Sequence, residues 1–332
     1  MSEFSVPSMQ IFVIGGTGYF GSVLVEHLRS AGHSVTALAR SEQSAARLRA
    51  AGAVPVAGSI TDTEVLRTAA AAADAVVYAA SDYAPTAQST EDELAAVRAV
   101  TAGAAEAAGT NGTPGTPETP GTNGTNGTPG TTGTSPKPVV YTSTGLVYGF
   151  DPTDVTEDAV LPEVSAQPVK AQAERIVLGA PGITGIAVRA GLVFGRGGTG
   201  LVTGLIDAAV ANGAATYIGD GANAWYPVHV DDLADLYVRA IEHPVAGVVN
   251  AVGSVPFTFR ELAEAIGTLT GTPSVSVPLE VAEAQMGPAV RTLTTSTHLL
   301  ATKARAAYGW DPSERSLVED VRNGSYTAPP RP

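Results

Sequence analysis

The chain contains no cysteine in 332 residues, which excludes disulfides and thiolate metal sites. Positive charge is scarce. Lys and Arg number 19 against 32 Asp and Glu, for a net charge of −13. Such a surface repels a phosphate backbone on average, so a nucleic-acid partner is not expected. No apolar run approaches the roughly 18 residues that a membrane helix needs, so no membrane partner is expected either. The opening "MSEFSVPSM" has neither a basic n-region nor an apolar h-region, so no secretory signal is read there. His27, His33, His243 and His298 are scattered, and no carboxylate cluster shows ligand spacing, so no metal is expected. What remains is an acidic, soluble, cytoplasmic protein, monomeric or homodimeric. Its 44% hydrophobic content suffices for one large core or two modest domains.

The first hundred residues alternate strand and helix signals. "QIFVIGG" is a short apolar run ending in glycines. "YFGSVLVEHLRSAG" places Phe20, Val23, Leu24 and Leu28 at helical spacing before Gly32. "HSVTALAR", "AVPVAG" and "DAVVYAAS" read as further strands. Apolar strands alternating with helices imply a parallel sheet covered on both faces. Residues 109–138 are almost only Gly, Thr, Asn and Pro. Such a segment buries no apolar surface and is expected to be disordered. Its Asn-Gly-Thr triplets match a glycosylation acceptor, a reading disfavoured without a secretory signal. Joining a helix to the next strand, the insert is expected on the face away from the site, with a mobile lid as the alternative. Beyond residue 150, "TGIAVRAGLVFG" reads as a strand, and "LVTGLIDAAVANG" and "FRELAEAIGTLTG" read as helices of a smaller domain.

"GGTGYFG" follows the first strand and opens the first helix. Gly16, Gly18 and Gly21 satisfy G-x-G-x-x-G, and Gly15, Gly18 and Gly21 satisfy its variant. Glycine there permits a tight turn, close approach to a pyrophosphate and close helix packing. The phosphates then meet the free N–H groups of a helix N-terminus. The second strand ends not in an acidic residue but in Arg40 and Ser41. An arginine grips a 2′-phosphate with forked, charge-assisted bonds, so NADPH is expected over NADH. A solvated helix-start arginine is the bland alternative.

With these motifs the chain resembles the short-chain dehydrogenase/reductase family, in its extended or atypical branch. "VVYTSTGLVYG" is similar to the family's catalytic Ser/Thr strand, "VKAQAE" to its catalytic-lysine segment and "VRAGLVFGRGG" to the strand after it. "GDGANAWYPVHVDDLADLYVRAIE" and "ATKARAAYGWDP" resemble its C-terminal landmarks. The resemblance spans nearly the whole chain apart from the insert. It implies an α/β fold, a Rossmann-type doubly wound parallel sheet over residues 8–194 to which 219–252 return. A smaller C-terminal α/β substrate domain would comprise 195–218 and 253–332. It also implies cofactor contacts at Gly15, Thr17, Gly18, Tyr19, Phe20, Gly21, Arg40, Ser41, Ile60, Ala79, Ala80, Lys170, Gly191 and Leu192. The catalytic roles fall on Thr144, with Ser143 adjacent, and on Lys170.

Two departures stand out. Ser59 occupies a place where the family often has an aspartate near the adenine. The family's catalytic tyrosine lies four residues before the lysine, and that position is Ala166. Gly133 and Leu299 precede the other candidate lysines, Lys137 and Lys303, so no Tyr-x-x-x-Lys exists in the chain. Pro168 between the two key positions marks a helix start. A ketone reductase without that tyrosine must take its proton elsewhere: from Thr144 or Ser143, from a water on the Lys170 relay, or from a phenol beside the substrate's own ketone. The last fits aromatic polyketides, and tyrosine-lacking ketoreductases of angucyclinone antibiotic tailoring are similar in this respect. "ANAWYPV" lacks the basic residue that nucleotide-sugar enzymes place there. Trp225 and Tyr226 instead offer flat area to an aromatic ketone, or simply pack a domain interface. His229 in "HVDD" is read as structural, with the aspartates capping the next helix. The expectation is therefore an NADPH-dependent ketoreductase of antibiotic tailoring. A non-catalytic NADP(H)-binding redox sensor is the first alternative, and a nucleotide-sugar epimerase or dehydratase the weaker one.

Overall fold

The computed structural model describes residues 6–81, 86–109, 135–149, 154–163, 165–287, 290–313 and 315–330. In chain order the first half holds β1 (Gln10–Ile14), α1 (Tyr19–Ser30), β2 (Ser34–Ala39), α2 (Glu42–Ala50), β3 (Val54–Ala57), α3 (Thr63–Ala72), β4 (Ala75–Tyr78), α4 (Ala87–Gly109) and β5 (Lys137–Thr144). Then follow β6 (Asp154–Val155), α5 (Pro168–Gly179), β7 (Ile183–Ala190), β8 (Leu192–Phe194), α6 (Gly200–Asn212), β9 (Ala215–Ile218), β10 (Ala224–Trp225), β11 (Pro227–His229), α7 (Val230–Glu242) and β12 (Gly247–Ala251). The chain continues through β13 (Phe257–Thr258), α8 (Phe259–Thr270), β14 (Ser274–Val277), α9 (Leu279–Met286), α10 (Val290–Thr294), β15 (His298–Leu299), α11 (Thr302–Tyr308) and α12 (Leu317–Asn323).

Seven strands form one parallel sheet in the order β12-β7-β5-β4-β1-β2-β3. The order reverses at β1, the hallmark of a Rossmann-type doubly wound sheet, whose ligands bind beyond the carboxyl ends of the strands. Strand periodicity explains why "QIFVI" is apolar almost throughout. Ile11 and Val13 point into one core, with Leu24, Leu28, Val188, Tyr237 and Trp310. Phe12 and Ile14 point into the other, with Leu66, Val97, Tyr141 and Val177. Successive side chains alternate between faces, and here both faces are covered.

A third core lies beyond the sheet. Phe194, Val202, Ile206, Trp225, Phe257, Leu262 and Ile266 pack together there with Leu317 and Tyr326. Within it β9 pairs in parallel with β14. Helix α8 opens with a capping box between Thr258 and Glu261. The segment 219–252 joins the main body: β12 extends the large sheet beside β7, and Tyr237 of α7 packs edge-on against Phe20 of α1.

Most of the Gly/Thr/Pro/Asn insert, residues 110–134, lies outside the described residues. It leaves α4 and returns at the start of β5, while the residues that line the cavities below sit at the other end of β5. No described helix is long and apolar enough to cross a membrane.

Trp310 pins the C-terminal segment onto α7. Its ring is 1% exposed, and its Nε1–H donates to the Asp232 carbonyl at 2.8 Å. Trp310→Ala removes the ring and leaves a cavity, so unfolding free energy from chemical denaturation is expected to fall by about 3–5 kcal/mol. A loss under about 1 kcal/mol would show that this segment does not brace the fold.

Candidate functional site

The chain leaves β1 at Ile14 and turns at Gly15, where φ is +92°. The Gly18 N–H donates to the Gly15 carbonyl at 3.0 Å, and α1 begins at Tyr19. A Cβ on Gly15 would stand 2.7 Å from the Ala80 backbone nitrogen, and one on Gly21 would collide with the Gly15 carbonyl. Both glycines are therefore demanded by close backbone approach, one at the strand end and one between helix and turn. Gly18 N-caps α1 with no side-chain cap, so the first-turn N–H groups remain open to an anion.

Beside this turn lies a cavity of ≈ 590 Å³. Gly15, Thr17 and Gly18 after β1 line it together with Arg40, Ser44 and Arg47 after β2, and Ala80 after β4 and Ile60 after β3 flank them. Ser41 does not line it. Its hydroxyl caps α2, accepting the Ser44 N–H at 3.2 Å. Arg47 was not expected from the sequence. It follows Ser44 by three residues on α2, so both fall on one helix face. Ser59, read from the sequence as standing where the family often has an aspartate, also lines this cavity, and its N–H donates to Asp62 at 2.7 Å. These residues suit a dinucleotide: a glycine turn that any side chain would block, open N–H groups for phosphates, and two guanidinium groups after β2.

A second cavity, ≈ 710 Å³, shares Gly15, Gly18, Ala80 and Ser81 with the first. The carboxyl ends of the sheet form one wall through Ala79, Thr144, Gly191 and Leu192, and the glycine turn adds Tyr19, Phe20 and Gly21. The smaller lobe and the C-terminal segment supply Leu201, Trp225, Leu293 and Leu299. None of the described residues lining it is charged.

Thr144 and Ser143 are neighbours on β5 and face different partners. The Thr144 Oγ1 accepts the Leu146 N–H at 3.3 Å, and its own proton has no acceptor among the described residues. The Ser143 hydroxyl donates to Glu174 of α5. Arg189 of β7 holds that carboxylate in a fork, Nη2 at 2.6 Å and Nε at 3.0 Å. The same guanidinium stacks 4.4 Å from the Tyr148 ring centroid. Ser143 is thus committed to a buried network and has no proton to offer a substrate.

Lys170 lines neither cavity. It stands in the first turn of α5, whose start Pro168 sets. Its ammonium is buried and donates to Glu93 of α4 at 2.8 Å. The Tyr141 hydroxyl donates to the same oxygen at 2.5 Å, and burial followed by the Glu93 charge pushes that phenol's pKa up. An ammonium in this interior needs a carboxylate partner, and Glu93 is the one in reach. Glu93 itself lines the dinucleotide cavity, a residue the sequence reading missed. Ala166 sits half-buried in the bend before α5 and offers only a methyl group.

Trp225 lines the second cavity, its Nε1–H fixed to the Thr295 carbonyl at 2.7 Å. Tyr226 does not. It packs edge-on against His298 at 5.4 Å, because adjacent residues of an extended chain point opposite ways. His229 also stands outside both cavities. It caps α7 itself, accepting the Asp231 N–H at 3.3 Å. The expected aspartate caps are engaged elsewhere, Asp231 with Arg196 and His27 and Asp232 with Ser313. Burial and the Arg315 guanidinium hold the His229 pKa below its ordinary value. Tyr19 donates to the Gly195 carbonyl at 2.7 Å, and burial pushes its phenol pKa up. No group of three or more candidate ligands for a metal occurs among the described residues.

The profile of the NAD dependent epimerase/dehydratase family matches residues 11–253. The chain belongs to that family. It is 30% identical over 322 residues to an uncharacterized protein of Schizosaccharomyces pombe, covering 96% of this chain and 100% of the relative. It is 28% identical over 246 residues to the 4-hydroxy-2-methyl-3-oxo-4-farnesyl-3,4-dihydroquinoline-1-oxide ketoreductase of Stigmatella aurantiaca, covering 73% of this chain and 67% of that protein. Among solved structures it is similar to a Thermotoga maritima UDP-glucose 4-epimerase. That match has a TM-score of 0.70 at 20% identity and covers 96% of this chain and 97% of the other. Such a distant structural likeness speaks to the fold.

Arg189→Met would leave Glu174 buried without its cation. Removing one partner of a buried pair costs about 3–5 kcal/mol, and chemical denaturation is expected to register that loss. An unchanged midpoint would remove the pair from the account of how this wall is held.

Proposed function

We propose that this family member is an NADPH-dependent ketoreductase for neutral, aromatic polyketide-type ketones, acting without a catalytic tyrosine. The observation that carries the reading is the uncharged cavity continuous with the dinucleotide cavity. A nucleotide-sugar diphosphate would need a cation there, and no described lining residue supplies one. A flat, neutral ketone needs none, and Trp225 contributes an aromatic ring to the lining.

The glycine turn would hold the pyrophosphate, and Arg40 and Arg47 the 2′-phosphate by charge-assisted bonds. The bound nicotinamide supplies hydride. Thr144 aims its free proton at the carbonyl oxygen and stabilises the charge that builds there. The apolar walls exclude water and strengthen that contact. No base or acid stands behind Thr144 among the described residues, so a phenol adjacent to the ketone would protonate the alkoxide and the resulting phenolate would regain its proton from solvent on product release. The name of the Stigmatella relative supports a fused-ring ketone as the substrate class, although the hydroxyl beside its 3-oxo group is a tertiary alcohol and not a phenol.

Lys170's engagement with Glu93 favours a second reading, a non-catalytic NADP(H) sensor. One assay separates the two. Purified protein with NADPH and a panel of ortho- and peri-hydroxyaryl ketones is expected to consume reduced nicotinamide. Tight NADPH binding without turnover across the panel would establish the sensor instead. In the same preparation, Arg40→Ala together with Arg47→Ala should weaken NADPH about tenfold or more while sparing NADH, given about 1.5–3 kcal/mol for each charged hydrogen bond. Equal loss of both cofactors would refute the 2′-phosphate assignment.

A further inference from the structure

The segment 292–297, "TLTTST", comprises the end of α10 and the link to β15, and closes one side of the uncharged cavity. It is stitched to β10 and the residue before it. The Asn223 side chain donates to the Leu293 carbonyl at 3.0 Å. The Ala224 N–H donates to Ser296 Oγ at 3.1 Å. The Thr297 N–H returns to the Ala224 carbonyl at 2.9 Å, and the Trp225 indole holds the Thr295 carbonyl. Five of the six residues carry a hydroxyl. Three hydroxyls have partners inside the protein: Thr294 donates to the Val290 carbonyl at 3.1 Å, Thr295 donates to the Arg291 carbonyl at 2.8 Å, and Ser296, which does not line the cavity, accepts the Ala224 N–H. The other two, on Thr292 and Thr297, have no side-chain partner among the described residues. These are the two hydroxyl residues of the segment that line the cavity.

A half-buried hydroxyl in an apolar wall loses its water when a ligand fills the space. That loss is unfavourable unless the ligand brings a hydrogen-bonding group. Sites built with such groups reject analogues that lack the matching oxygen. We infer that Thr292 and Thr297 form a specificity wall that hydrogen-bonds a second, neutral ring oxygen of the substrate, distinct from the reacting ketone. The inference rests on the ketoreductase reading for the identity of the ketone, but binding tests it without turnover. The stitching to β10 holds the wall in place before ligand arrives, so little ordering is required of it. With no charged group in the lining, the oxygen recognised is a phenol, an ether or a second carbonyl rather than a phosphate or carboxylate.

The probes are 9-hydroxy-3,4-dihydroanthracen-1-one, a ketone with a phenol at its peri position, and its 6-hydroxy derivative, with one oxygen more on the far ring. Trp225 lines the cavity and reports binding by fluorescence quenching, with NADP+ present. The wild-type protein is expected to bind the 6-hydroxy derivative about tenfold more tightly than the parent. In Thr292→Val/Thr297→Val the ratio of the two dissociation constants should fall to about one. Thr292→Ser/Thr297→Ser keeps both hydroxyls and should keep the preference, which separates hydrogen bonding from packing. A wild-type protein with no preference, including one that binds neither probe, overturns the inference. So does a valine variant that still discriminates. Preference without NADPH consumption would sink the reductase reading alone.

Discussion

Charge near the reacting centre is cancelled in pairs before it reaches the cavity. Glu174 and Arg189 neutralise each other behind β5, with Ser143 drawn into their network. Lys170 and Glu93 do the same between α5 and α4, with Tyr141 donating to the shared oxygen. Buried ion pairs of this kind are poor sources of net stability, but losing one partner is severe, so each residue of a pair holds the other in place. The second cavity is consequently walled by glycine, aliphatic and hydroxyl side chains, with Trp225 the largest ring.

That constraint shapes the chemistry open to the fold. The dinucleotide half keeps what phosphates need: the turn at Gly15, open N–H groups and two arginines. The second cavity keeps the Thr144 hydroxyl at the carboxyl end of β5, with Thr142 one pleat deeper and accepting from Tyr237. Tyr19 lies in the same lining, but its hydroxyl is held by Gly195 and its phenol is disfavoured from ionising. Nothing in the described lining titrates near neutral pH. Under the proposed function, a reductase built this way would rely on hydride delivery, an uncharged cavity and the substrate's own proton.

The sequence made the doubly wound fold and the glycine turn legible, because both are local patterns: apolar runs at strand spacing, and glycines between strand and helix. Trp225 reads from the sequence either as flat area for an aromatic ketone or as interface packing, and it both lines the cavity and packs in the third core. Tyr226 could not share its cavity, since neighbours on an extended chain face opposite ways, whereas Ser143 lines the same cavity as Thr144 and is set apart by its bond to Glu174. That alternation was available in the sequence. The partners of Lys170 and Glu174 were not, because they come from α4 and β7, far away in the chain. Arg47 lay within reach of a helical-face argument from Ser44, whereas Glu93 needed the packing of α5 on α4.

The central claim is that hydride transfer proceeds with no ionisable proton donor of the protein in the cavity. The most direct test is the pH dependence of kcat for reduction of a peri-hydroxyaryl ketone by saturating NADPH, from about pH 6 to 9. A protein general acid in the site would impose its own pKa on that profile. The account predicts a flat line, since Thr144 does not titrate and an internally bonded phenol ionises above that range. A sigmoid with an apparent pKa inside the window, abolished by changing one side chain, would contradict it.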